Sequence, residues 1–79
     1  MSIEDRAKGV FKNVIDVNPE EIKPEEKLDQ SLGIDSTEMV EIAVALKKEF
    51  GLDMAGSDVK KTHSFNEVIE ILKSKGASE

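Results

Sequence analysis

Asp35-Ser36-Thr37-Glu38-Met39-Val40-Glu41-Ile42-Ala43-Val44-Ala45-Leu46-Lys47-Lys48-Glu49-Phe50-Gly51 is the stretch whose periodicity decides the fold class. At about 100° per residue, Met39, Ile42, Ala43, Leu46 and Phe50 fall on one face and should point inward. Thr37, Glu38, Glu41, Lys48 and Glu49 lie opposite, with Val40 and Val44 on a shoulder between the faces. Asp35 can accept the first free N–H groups, and Glu38 three residues on completes a capping box. Gly51 stands where a helix stop calls for positive φ. These limits predict a helix over 36–50.

The same logic extends in both directions. Residues 2–15 read as an amphipathic helix, with Ser2 as N-cap and Ile3, Ala7, Val10, Phe11, Val14 and Ile15 along one stripe. Ser64 and Glu67 form an S-x-x-E box before a last helix, whose apolar face is Phe65, Val68, Ile69 and Leu72, with Ile71 at its edge. Gly76 should end it, leaving Ala77–Glu79 as a frayed tail. Residues 16–35 show no sustained period, and Pro19 and Pro24 bar a long helix through them. Ile22, Leu28, Leu32 and Ile34 are expected to pin this long loop to the core. Gly56-Ser57-Asp58 is read as the opening of one helical turn through Lys61. No segment alternates as a strand does. The expected fold is therefore all-α. It is a small antiparallel four-helix bundle of three longer helices and one short one, with a long loop between helices one and two, forming one domain over 1–79.

Composition narrows the function. Seventeen acids against eleven bases leave a net charge of −6, which disfavours nucleic acid or anionic lipid as partner and favours a basic protein surface. Cysteine is absent, which excludes a disulfide framework, a thiolate nucleophile and a cysteine metal site. No run of about 18 apolar residues is present to span a membrane. Met1-Ser2-Ile3-Glu4-Asp5 lacks the basic stretch and apolar run of a secretory signal, so the expected location is cytoplasmic. A chain of 79 residues has a modest core and little room for a deep, water-excluding active site. These limits favour a binding, carrier or interaction module over an enzyme, and a monomer is expected.

Individual residues sharpen this. Ser36 falls at the first helical position, beyond the Asp35 cap, where its hydroxyl is not needed for capping and should face solvent. A phosphate ester there would meet free N–H groups and the positive end of the helix dipole. The bland alternative, a plain loop, cap and helix, stays open on these grounds alone. Asp29 to Val40 fails as a calcium loop, with Ile34 at the sixth position and Val40 at the twelfth. His63 has no ligand-spaced companion and reads as a junction residue. Lys60 and Lys61 are two bases in an acidic chain, too few for a nucleic-acid patch. Val44, Met54, Ile69 and Leu72 could surround a gap, or simply pack as core.

Leu32-Gly33-Ile34-Asp35-Ser36, followed by Glu38, Val40 and Glu41, resembles the attachment site of acyl carrier proteins. The resemblance spans nearly the whole chain through its helix order. It implies a four-helix bundle whose Asp-Ser serine, here Ser36, receives 4′-phosphopantetheine from coenzyme A. A carrier-protein synthase (a phosphopantetheinyl transferase) makes that transfer, and Asp35 helps to position its metal and coenzyme. The arm supplies the thiol that the chain lacks, and acyl groups ride on it as thioesters for fatty-acid or specialised acyl-chain biosynthesis. Acyl-transfer and condensing enzymes with basic surfaces would be the further partners. The resemblance also assigns the stripe Thr37, Val40, Glu41, Val44 and Lys48, with Glu38, to partner binding.

The chain departs from that pattern in three places. Thr37 replaces the usual leucine, Lys47 and Lys48 replace acids, and Met54 to Asp58 lacks the usual proline and dense acids. The sequence leaves open a related aminoacyl, D-alanyl or polyketide carrier, and a small helical adaptor in which Ser36 stays unmodified.

Overall fold

The computed structural model describes residues 2–77. Among them four α-helices follow one another: α1 (Ile3–Ile15), α2 (Leu28–Ser31), α3 (Ser36–Phe50) and α4 (Phe65–Ser74), with one 3-10 turn at Pro19–Glu21. Among the described residues there is no strand, only an isolated antiparallel bridge between Lys27 and Ser64. α1 packs against both α3 and α4.

Each long helix begins as its sequence dictates. The Asp5 N–H donates to Ser2 Oγ at 3.1 Å, and the Glu67 N–H to Ser64 Oγ at 3.2 Å. The Ser64 N–H in turn donates to the Glu67 carboxylate at 2.9 Å, closing the box. The ends of α3 and α4 each close through a glycine of positive φ. Gly51 takes positive φ, 65°, and the Leu52 N–H returns to the Lys47 carbonyl at 3.2 Å. α4 closes with the Ala77 N–H on the Leu72 carbonyl and the Gly76 N–H on that of Lys73, the paired bonds of a Schellman stop. Residues beyond Ala77 in the expected frayed tail lie outside the described residues.

The three stripes meet as read. Ile3, Ala7, Val10 and Phe11 of α1, Met39, Ile42, Ala43 and Leu46 of α3, and Phe65, Val68, Ile69 and Leu72 of α4 are all buried. The rings of Phe11 and Phe65 meet edge to face, centroids 5.6 Å apart at 72°. Full burial of a Val, Leu, Ile, Phe or Met side chain contributes about 1.5–3 kcal/mol, so the larger side chains among these positions are a main source of the domain's stability. Phe50 is only half-buried; the Arg6 guanidinium covers its ring at 4.4 Å.

The connections required correction. The span 16–35 contains regular structure that periodicity did not reveal. Pro19 opens a 3-10 turn, and the Asn18 N–H donates to the Glu21 carboxylate at 2.9 Å. α2 is too short to hold itself, since one helical turn fixes many dihedrals for few bonds. Its first N–H groups are satisfied from outside: Leu28 donates to the His63 carbonyl at 3.0 Å and Asp29 to that of Lys61 at 2.9 Å. Ile22, Leu28 and Ile34 are buried and Leu32 half-buried, so the loop is pinned at the expected points. The helical turn expected from Gly56 to Lys61 is absent. Instead Asp58 closes a tight turn on Ala55, its carboxylate accepting the Ala55 N–H at 2.8 Å and its own N–H reaching the Ala55 carbonyl at 3.1 Å. An Asp side chain that satisfies local N–H groups competes with helix formation, and here it wins. Val40 and Val44 keep the shoulder position expected of them: they are 50% and 45% exposed, and Gly56 of the following segment lies against Val40.

Candidate functional site

α3 starts where the long connection turns back into the core. Gly33, with φ of 68°, makes that turn without the penalty a Cβ would bring. Ile34, 3% exposed, anchors the next residue in the core and so fixes the register at which Asp35 meets the helix. Asp35 is extended, and its Oδ1 accepts the Glu38 N–H at 2.8 Å. The Glu38 carboxylate accepts the Asp35 N–H at 3.1 Å. The pair encloses Ser36 and Thr37, both exposed, in the first turn. Ser36 therefore presents its hydroxyl to solvent at the positive end of a 15-residue helix.

A cleft of about 290 Å³ lies against Ser36. Met39, Val40 and Val59 give it an apolar floor, and Lys60, Lys61 and Thr62 stand on its rim. The segment before α4 forms that rim, and the hydrogen bonds from Leu28 and Asp29 described above hold it in place. His63 belongs to the same junction: its Nδ1 accepts the Lys60 N–H at 3.0 Å. In the sequence Lys60 and Lys61 read as isolated bases. Nothing in the local pattern places residues 57–62 beside Ser36, because the tertiary turn does so. Of the four side chains considered around a gap, Met54, Ile69 and Leu72 are buried core, whereas Val44 is exposed.

The residues assigned to partner binding fall on one exposed side of α3. Thr37, Val40, Glu41, Val44 and Lys48 are all exposed. Glu38 is half-buried, and its carboxylate is engaged in the cap, which gives it a structural task. Among the described residues no group of His, Asp and Glu is arranged to hold a metal ion, and no helix is long and apolar enough to cross a membrane.

An exposed serine hydroxyl at a capped helix start, beside a cleft with an apolar floor and a basic rim, is sterically open to carrying a phosphate ester. Comparison with known proteins gives the family. The family model described as the phosphopantetheine attachment site matches residues 5–72. The chain belongs to this phosphopantetheine-attachment family, among its acyl carrier proteins. It is 31% identical over 75 residues to the acyl carrier protein of Nitratidesulfovibrio vulgaris (strain DP4), covering 95% of this chain and 99% of the relative. It is 33% identical over 73 residues to that of Wolinella succinogenes, covering 92% and 96%. Its cofactor is 4′-phosphopantetheine and its role is that of a carrier, with the chemistry on the cargo performed by other proteins.

Proposed function

We propose that Ser36 is the attachment residue and that the whole chain, residues 1–79, is one carrier domain folded as an antiparallel bundle. The exposure of Ser36 between the mutual caps Asp35 and Glu38 carries this reading. The Ser36 oxygen forms a bond to phosphorus, the pyrophosphate linkage of coenzyme A breaks, and adenosine 3′,5′-bisphosphate leaves. The hydroxyl proton passes to a base on the carrier-protein synthase. The arm supplies a thiol on which acyl groups are held as thioesters. Within the chain, α3 presents the serine, the Asp35 cap holds its helix start rigid, and the cleft over Met39, Val40 and Val59 offers the arm an apolar resting surface.

Thr37, Val40, Glu41, Val44 and Lys48 form the face that meets acyl-transfer and condensing enzymes, and the carrier works as a cytoplasmic monomer. Thr37 has a hydroxyl where a leucine would fill a partner pocket, and Lys47 and Lys48 make the second half of α3 basic. Both features favour a specialised acyl-chain pathway over general fatty-acid elongation. Incubation with coenzyme A and a carrier-protein synthase, followed by mass measurement, tests the attachment. Mass gain in the parent and none in Ser36→Ala is the expected result; gain in both places the site elsewhere.

A further inference from the structure

The exposed side of α3 carries opposite charge at its two ends. Val40 and Val44 form a ridge along its middle. A groove of about 480 Å³ runs on one side of the ridge, with Val14 and Ala45 along it and Glu41 and Lys48 in its wall. A second groove, about 700 Å³, runs on the other side over Leu52 and Met54, lined also by Lys47, Lys48 and Asp53. Lys48 thus borders both grooves. Glu38 and Glu41 make the N-terminal half acidic, and Lys47 and Lys48 make the C-terminal half basic.

Two acids could have offset those lysines. Glu49 does not, because its carboxylate is held by the Arg6 guanidinium at 2.9 Å on the α1 side. Asp53 shares the second groove, yet among the described residues neither Lys47 nor Lys48 makes an ion pair with it or with any other acid. Both lysines are exposed and project their charge outward.

A uniformly basic partner surface would set like charge against this end of the ridge, which costs affinity and slows encounter. We propose that the enzymes served by this carrier meet α3 with a two-signed surface. It has an apolar hollow for Val40 and Val44, a base towards Glu38 and Glu41, and a carboxylate towards Lys47 and Lys48. This rests on the reading of α3 as the enzyme-docking face. A second copy of the chain, turned antiparallel, would also match the charges. Two half-exposed valines, however, supply far less apolar area than the roughly 800 Å² per partner of a stable interface, which suits a transient enzyme encounter.

The test uses one condensing enzyme with a basic carrier-docking surface, and a version of it in which two bases opposite the lysines are replaced by glutamate. Binding of the parent carrier and of Lys47→Glu/Lys48→Glu is measured against both. The variant should bind the basic enzyme roughly tenfold more tightly than the parent does, and the preference should reverse on the glutamate-bearing enzyme, both differences shrinking at high salt. Differences below about twofold in every pairing overturn the proposal. So does dimerisation of the parent carrier at the same concentrations that the double substitution abolishes, since a second copy would then own this face. Mass gain with coenzyme A is followed separately, and binding is measured on modified and unmodified chains. Failure of the Ser36 reading is thereby distinguished from failure of the charge reading.

Discussion

The Asp35 and Glu38 side chains cap each other's backbone: Glu38 N–H reaches Asp35 Oδ1 at 2.8 Å, and Asp35 N–H reaches Glu38 Oε1 at 3.1 Å. Ser36 lies inside this closed pair and is not needed to complete it. Structural duty and chemical duty are therefore separated onto neighbouring residues, and each can be altered without the other.

Ser36→Ala should consequently fold with stability within about 0.5 kcal/mol of the parent, as exposed substitutions without special geometry do. It should gain no mass with coenzyme A and synthase. Urea titration and intact-mass measurement check the two halves of this expectation independently.

Asp35→Asn keeps an oxygen for the Glu38 N–H, and Asn caps about as well as Asp, so stability should change by only a few tenths of a kcal/mol. Modification should slow, because the carboxylate charge next to the serine is lost. Asp35→Ala, which removes the acceptor, should cost about 1 kcal/mol. Equal modification rates for parent and Asp35→Asn would restrict the residue to capping.

Arg6 ties α1 to the end of α3: its Nε pairs with Glu49 at 2.9 Å, its Nη2 donates to the Glu49 carbonyl at 2.6 Å, and its guanidinium lies 4.4 Å from the Phe50 ring centre. Arg6→Ala should lower stability by about 1–2 kcal/mol through loss of the pair, the carbonyl bond and the ring contact together. Arg6→Lys should recover only part, since an ammonium cannot reproduce the fork or the stacking. Denaturant midpoints of the three proteins test the ranking.

Acid should weaken the fold through two carboxylates. The Ser64 N–H holds Glu67 below the ordinary carboxylate range, helped by the Ser64 hydroxyl and the charges of His63 and Lys27. The Ala55 N–H does the same for Asp58, with Lys75 adding to it. A carboxylate whose folded pKa is depressed contributes stability that is fully present above its unfolded pKa and is lost as pH falls through the folded one. Melting temperature should therefore hold through neutral pH and fall on the acid side, within and below the ordinary carboxylate range. Glu67→Gln keeps an acceptor for the Ser64 N–H but cannot titrate, so its acid-side decline should be shallower. A decline as steep as the parent's would remove Glu67 from the account.

Much of the fold could be read without coordinates because helix starts, stops and stripes are local. Ser2, Asp35 and Ser64 cap within three residues, Gly51 and Gly76 stop within two, and apolar spacing of three and four builds a buried face whatever it packs against. The same locality made Ser36 legible, since its place beyond the cap follows from counting. α2 was not legible: the partners of its first N–H groups, the carbonyls of His63 and Lys61, lie more than 30 residues away. The missing turn at Gly56–Lys61 failed for the converse reason, a short-range Asp58 bond that outweighed weak helix signals.

Sequence alone thus determined the three long helices, the capped serine and the charge reversal along α3, because each depends on residues within a turn or two of one another. Tertiary structure decided the rest: that residues 57–62 face Ser36 across a cleft, that Glu49 turns to Arg6 and leaves the lysines outward, and that Val40 and Val44 stay in water. Those outcomes depend on which surfaces the packing of α1, the 52–58 segment and the α4 junction happens to cover. No periodicity within a single segment encodes that.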